Sequence, residues 1–307
     1  MPNGIQSSHH RLTEFAKYLP PFAAAALSRL PESLEGNVNE IRLRVNQPVV
    51  LMTGQGYQYL SEHTLLTVKD IRDTFDKICD YSVYSHQTEL AGGFVTLPGG
   101  HRVGICGTAA LDSSGHRTLK YVSSINIRIA NEYIGCADEI VARVFCSKME
   151  GILIAGPPCS GKTTLLRDIA RSLSSPPRMK KVTIVDERGE IAAVYRGQPQ
   201  NTLGPFCDVL NGYPKGEGIL NALRTLAPEV IVCDEIGGQG DAEAIGEGVN
   251  AGVAVISSIH ACNVDELYRR KPFQKLLETG AFSKIVILKP DRKGVADQIV
   301  EVSGHVP

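Results

Sequence analysis

The chain has 307 residues, which at roughly 150 residues per domain corresponds to about two domains. Its composition, 43% hydrophobic and 21% charged, is that of an ordinary globular protein and excludes wholesale disorder or a coiled-coil rod. Lys plus Arg is 32 against 33 Asp plus Glu, and each half is balanced, so a bulk polyanion binder is excluded and nucleic-acid binding would need a local patch.

No apolar run approaches the roughly 20 residues needed to cross a bilayer. The opening MPNGIQSSHHRLTEF lacks the basic and apolar segments of a secretory signal. The eight cysteines are Cys79, Cys106, Cys136, Cys146, Cys159, Cys207, Cys233 and Cys262. None forms a C-x-x-C pair or a zinc-spaced cluster, and they read as reduced packing residues of a cytosolic protein.

In chain order, Leu12, Phe15, Leu19, Phe22, Leu27 and Leu30 predict two short helices interrupted at Pro20-Pro21. Glu40–Val45 alternates as a strand, with Ile41, Leu43 and Val45 inward and Arg42 and Arg44 outward. Asn46-Gln47-Pro48 turns into a second strand over Val49–Met52. Thr67 is a helix N-cap before Val68, Ile71, Phe75 and Ile78. Phe94–Leu97, the turn Pro98-Gly99-Gly100 and Arg102–Cys106 form a hairpin. Ser124–Ile129 is a further alternating strand.

The pattern changes near 131–150. Gly151–Ala155, Val182–Val185, Val230–Cys233, Val253–Ser257 and Ile285–Leu288 are apolar runs without alternation, as in parallel strands buried on both faces. The expected architecture is α/β: a C-terminal P-loop core with a mainly parallel sheet over 141–307, preceded by a smaller α+β domain over 1–140.

Gly156-Pro157-Pro158-Cys159-Ser160-Gly161-Lys162-Thr163 fits G-x-x-x-x-G-K-[ST] and lies between an apolar strand and a helical pattern beginning at Thr164. Backbone N–H groups and a helix N-terminus in that setting cradle phosphates. The residues from Gly156 to Thr164 are therefore the nucleotide-binding candidates, for ATP with Mg²⁺. Lys162, exposed in the empty loop, would reach the β- and γ-phosphates, and Thr163 would ligate Mg²⁺. Val230–Cys233 ends in Asp234, which would hold Mg²⁺ through water, and Glu235, which would orient or deprotonate the attacking water.

Two more strand tips carry polar groups: Asp186-Glu187-Arg188-Gly189-Glu190, and His260 after Val253–Ile259. Ligands of open parallel sheets bind outside the carboxyl ends of the strands, so both belong to the same rim. His260 is the γ-phosphate sensor candidate, and Glu190 and Glu187 are alternative bases. Arg269-Arg270-Lys271 reads as a solvated helix C-terminus rather than a kinase lid. Only about 20 residues follow Leu288, and they read as a hairpin, which leaves no room for a helical lid domain and favours a RecA-like core.

The order of the P-loop, Thr183–Glu190, Leu220–Glu235 and Ser258-Ile259-His260-Ala261 resembles the ATPases of type II and type IV secretion systems. Many of those have glycine where this chain has Asp234. Glu40–Val49, Gly100–Gly107 and Asp186–Ile191 are similar to segments of the stage III sporulation AA family, and this resemblance runs from about residue 12 to 302. It implies an ATP-hydrolysing ring, a hexamer, that energises a channel between mother cell and forespore during endospore formation. The implied partners are other copies of the chain and membrane-embedded channel components. The implied location is the mother-cell cytoplasm, peripheral at the forespore membrane. The resemblance adds Arg224, in the stretch before the second motif, to the catalytic candidates Lys162, Glu190, Glu235 and His260. It also implies that Arg102 and Arg128, outward on N-terminal strands, reach a γ-phosphate across a domain or subunit boundary. Two other readings stay open: a RecA-like nucleic-acid-dependent ATPase and an ATP-switched assembly platform.

Overall fold

Residues 6–8, 12–31, 34, 37–111, 117–145, 148–237, 239–290 and 292–302 are described by the computed structural model. Cys146, Asp291 and most of the opening segment lie outside the described residues. The chain divides into two units, one of residues 8–131 with 195–200, the other of 1–7, 132–194 and 201–307. The division falls after residue 131, within the stretch near 131–150 where the sequence pattern changes. The reason is local: α4 (Asp138–Val144) buries Ile140, Val141 and Val144 in the core of the second unit. The return of residues 195–200 to the first unit has no counterpart in the sequence reading.

The first strand, β1 (Gln6–Ser8), pairs with β8 (Glu132–Ile134) as a two-stranded ribbon. The first unit is built on β2 (Val38–Arg44), β3 (Val50–Thr53), β4 (Gly56–Tyr59), β5 (Phe94–Leu97), β6 (His101–Leu111) and β7 (Arg117–Arg128). They form an antiparallel sheet ordered β4-β3-β2-β7-β6-β5. Its apolar face, with Ile41, Leu43, Val103, Ile125 and Ile127, packs with Leu12 and Phe15 of a 3-10 turn. The same core takes in α1 (Pro21–Leu27) and α2 (Val68–Ile78), while α3 (Gln87–Ala91) precedes β5. Pro21 opens α1, where its missing N–H has no helical partner to lose. Thr67 caps α2 in a reciprocal box: its hydroxyl accepts from the Asp70 amide at 3.2 Å and its own amide donates to the Asp70 carboxylate at 2.8 Å. Arg44 is exposed, whereas Arg42 is half-buried and pairs with Glu40 at 2.8 Å.

The second unit is a RecA-like P-loop α/β core. Its sheet is β11 (Cys207–Asn211), β10 (Val182–Asp186), β12 (Val230–Glu235), β13 (Ala254–His260), β9 (Ile152–Gly156), β14 (Lys284–Leu288) and β15 (Ala296–Glu301), in that spatial order. Every pairing is parallel except β14 with β15. Alternate residues of one strand enter different cores, which is why these strands read as unbroken apolar runs. Ile152 and Ile154 pack with α4 and with α5 (Lys162–Ser174). Leu153 and Ala155 pack on the other face with α6 (Lys215–Thr225), α7 (Gln239–Asn250) and α9 (Lys271–Glu278), with α8 (Val264–Tyr268) beside them. The strand tips after β9, β10, β12 and β13 share one rim.

The seven described cysteines are free thiols. Cys79 and Cys233 are buried packing residues as expected, but Cys106, Cys159 and Cys262 are exposed. Burial pushes the Cys79, Cys136 and Cys207 thiols up to about 12 and Cys233 to about 11, so none of these four is a thiolate near neutral pH.

Candidate functional site

The loop from Gly156 to Lys162 joins β9 to α5. Gly161 stands at the helix N-cap with φ of 93°, and a Cβ there would lie 2.7 Å from the Gly294 amide nitrogen. That amide donates to the Ser160 carbonyl at 2.8 Å, so the segment between β14 and β15 braces the loop. No side chain caps α5. The amides of Lys162, Thr163 and Thr164 therefore face the loop without intrahelical partners, at the positive end of the helix. The Ser160 hydroxyl is buried and unbonded. A buried orphan oxygen beside free amides fits a phosphate-bearing ligand.

Lys162 is not exposed, contrary to the expectation for an empty loop: it is 8% accessible. Its ammonium donates to the carbonyls of Gly156 and Pro157 at 2.9 Å each. It also lies 2.9 Å from His260 Nδ1, and His260 Nε2 lies 3.0 Å from Glu235 Oε2. An ammonium has no acceptor, so Nδ1 accepts and Nε2–H donates to the carboxylate. The histidine links the loop lysine to the β12 carboxylate. Burial lowers the Lys162 pKa, and the Glu235 charge works against that shift.

The β12 tip is irregular. Val232 pairs with Ile256 but Glu235 pairs with Ser258, so three steps on β12 match two on β13. This bulge departs from strict alternation at Cys233-Asp234-Glu235 and re-aims the two carboxylates. The Ser257 hydroxyl fixes it by donating to the Asp234 carbonyl at 2.6 Å. Asp234 is 5% exposed. Burial raises its pKa, while Lys215 pulls the other way. The Lys215 ammonium lies 3.2 Å from Asp234 Oδ1 and 3.7 Å from Glu187 Oε2, and it donates to the Glu235 carbonyl. The sequence reading missed Lys215. Its signal was position alone: it opens the helix after β11, on the same rim.

Among the described residues no group of three or more His, Cys, Asp or Glu side chains could hold a metal. One carboxylate, Asp234, and one hydroxyl, Thr163, fit Mg²⁺, which is commonly held by one or two carboxylates together with nucleotide phosphates and water.

The acidic group after β10 divides into two roles. Asp186 is fully buried, and its carboxylate accepts the amides of Glu190 at 2.8 Å, Ile191 at 3.1 Å and Ala192 at 2.8 Å. It shapes its own loop. Arg167 of α5 donates to the carbonyls of Glu190 and Ile191 at 2.9 Å each, tying this loop to the P-loop helix. Glu187 is exposed and Glu190 half-buried at the same rim. Arg224 is not brought to this cluster. It is exposed in the last turn of α6, nine residues or about 13 Å from Lys215, because the helix runs away from the rim. In the first unit, Arg102 and Arg128 are directly paired across β6 and β7, and Arg128 pairs with Glu40 of β2 on its other side. The Arg102 guanidinium lies over the Phe94 ring at 4.3 Å.

A family model described as sporulation stage III, protein AA, matches residues 27–305. The stage III sporulation protein AA of Bacillus subtilis (strain 168) is 38% identical over 299 residues, 96% of this chain and 97% of that one. Among solved structures, the Legionella pneumophila ATPase DotB aligns with a TM-score of 0.57 at 21% identity, over 88% of this chain and 76% of its own. The pilus retraction motor PilT with bound ADP aligns with a TM-score of 0.57 at 17% identity, over 83% of this chain and 75% of its own. These structural likenesses establish the fold.

Proposed function

The chain belongs to the stage III sporulation protein AA family, and on that premise we propose that it is an ATPase, the ring-forming motor of a secretion-like complex. In this reading it hydrolyses ATP to ADP and phosphate and energises the channel between mother cell and forespore. It acts as a homo-oligomeric ring, a hexamer, against membrane-embedded channel components on the mother-cell side. The even charge balance gives no support to bulk nucleic-acid binding.

The observation that carries the proposal is the chain of contacts Lys162–His260–Glu235, at 2.9 and 3.0 Å. It joins a phosphate-loop lysine to a strand-tip carboxylate on β12. The amides from Gly161 to Thr164 receive the phosphates. Lys162 exchanges the Gly156 and Pro157 carbonyls for phosphate oxygens, a trade of neutral acceptors for charged ones. Glu235 takes the proton of the attacking water as the oxygen–phosphorus bond forms and ADP leaves. Thr163 and Asp234 would hold Mg²⁺, which when bound neutralises developing charge on the phosphate oxygens.

The test is binding of a fluorescent ATP analogue and phosphate release by the Lys162→Ala chain. Charged hydrogen bonds of about 1.5–3 kcal/mol predict a loss of affinity of at least about tenfold and loss of turnover, with the circular-dichroism spectrum unchanged. Wild-type affinity and turnover in the variant would refute the assignment.

A further inference from the structure

Lys215 is a buried cation that the proposed reaction leaves without a task. It is 6% exposed and occupies the first position of α6, after Pro214. A cation there is opposed by the helix dipole as well as by burial. The close seating of α6 on β10 holds it in place: a Cβ on Gly218 would lie 2.5 Å from Val185 Cγ1. The ammonium meets three oxygens from two strand tips. These are Asp234 Oδ1 at 3.2 Å, Glu187 Oε2 at 3.7 Å and the Glu235 carbonyl. Carboxylates and a backbone carbonyl converging on one point are a donor set for a hard divalent cation.

We propose that the Lys215 ammonium is a tethered stand-in for the divalent cation, competing with Mg²⁺ for Asp234 and holding the β12 tip in register until the metal arrives with nucleotide. This rests on the reading of Asp234 as the metal-side carboxylate. Lys215 is a positioning residue: it acts on Asp234 and on the main chain of Glu235. The arrangement makes Mg²⁺ alone a poor ligand, so metal and nucleotide enter together.

The experiment follows thermal unfolding of the nucleotide-free full chain with and without Mg²⁺ alone. For the wild type, Mg²⁺ leaves the midpoint unchanged. For Lys215→Met, Mg²⁺ at about ten times its dissociation constant raises the midpoint by about 3–6 °C. Lys215→Arg keeps the charge and behaves as wild type. An unresponsive Lys215→Met, or a Lys215→Arg that responds like Lys215→Met, overturns the proposal. If Lys215→Met does not fold in EDTA, folding restored by Mg²⁺ supports the stand-in role and failure in both conditions overturns it. No nucleotide is present, so the result is independent of the Lys162→Ala test. If Lys162→Ala binds and turns over ATP normally, the ATPase reading fails on its own evidence.

Discussion

In the proposed reaction Glu235 is the base and His260 its positioning partner, 3.0 Å away. With Nδ1 accepting from Lys162 and Nε2–H donating to Glu235, the imidazole orients the carboxylate. General-base and water-positioning roles are worth roughly 10²–10⁴ in rate. Glu235→Gln is therefore expected to bind ATP with near wild-type affinity and to turn over at least about 100-fold more slowly in a steady-state phosphate assay. Normal turnover would move the base to Glu190 or Glu187. The side chains of Glu235 and His260 are about a third exposed, so the amide variant has room to form without repacking the core.

Helix α5 is held by polar bonds at its side as well as by Leu165, Leu166, Ile169 and Leu173 in the core. Asp168, 4% exposed, accepts the amides of Gly135 at 3.2 Å and Ala137 at 2.7 Å and pairs with Arg171 Nε at 2.5 Å. It fastens the turn before α4 to the P-loop helix. Asp168→Ala removes a charged acceptor from two amides, and a loss of about 2–3 kcal/mol is expected, read as a lower urea midpoint at unchanged slope. An unshifted midpoint would show that water replaces the carboxylate. At this scale the sequence was most readable where one physical constraint acted alone. β9, β10, β12, β13 and β14 are apolar on both faces because both faces are covered. β11, with only Cys207, Val209 and Leu210 half-buried, and β4, exposed throughout, lack that signal and went unseen. The P-loop, Asp234, Glu235 and His260 were legible because each follows an apolar strand. The β12 bulge and the seat of Lys215 were not, since both depend on register and helix placement set by distant residues. Arg224 lies in a familiar stretch, and the direction of α6, which sequence alone does not give, sets it at the opposite end of the helix from Lys215.

Over the whole molecule, the pairing of Arg102 with Arg128 sets two like charges side by side on one sheet face, which is unfavourable unless an anion or carboxylate answers them. Glu40 is the register neighbour of Arg128 on β2, and the Arg102 guanidinium lies over the Phe94 ring. We expect an Arg102→Ala, Arg128→Ala chain to lose roughly 10³-fold or more in turnover, the scale of a trans arginine in other phosphoryl-transfer enzymes. Mixed with Lys162→Ala chains, it should regain part of that activity, since each chain supplies what the other lacks. Wild-type turnover by the arginine variant alone would end the idea, and a dead mixture would place the defect in assembly. The return of residues 195–200 to the first unit has a different consequence, one for biosynthesis. Gln200 Oε1 accepts the Gly99 amide at 2.8 Å, and Arg196 pairs with Asp80 at 2.7 Å. The N-terminal half therefore lacks a piece of itself when residue 131 leaves the ribosome. It waits for 69 more residues, about 3–14 s at ordinary elongation rates, by which time the P-loop and β10 have also emerged. Cutting the gene at the boundary between the units would leave one fragment short of its last six residues and the other carrying an unsheltered hairpin.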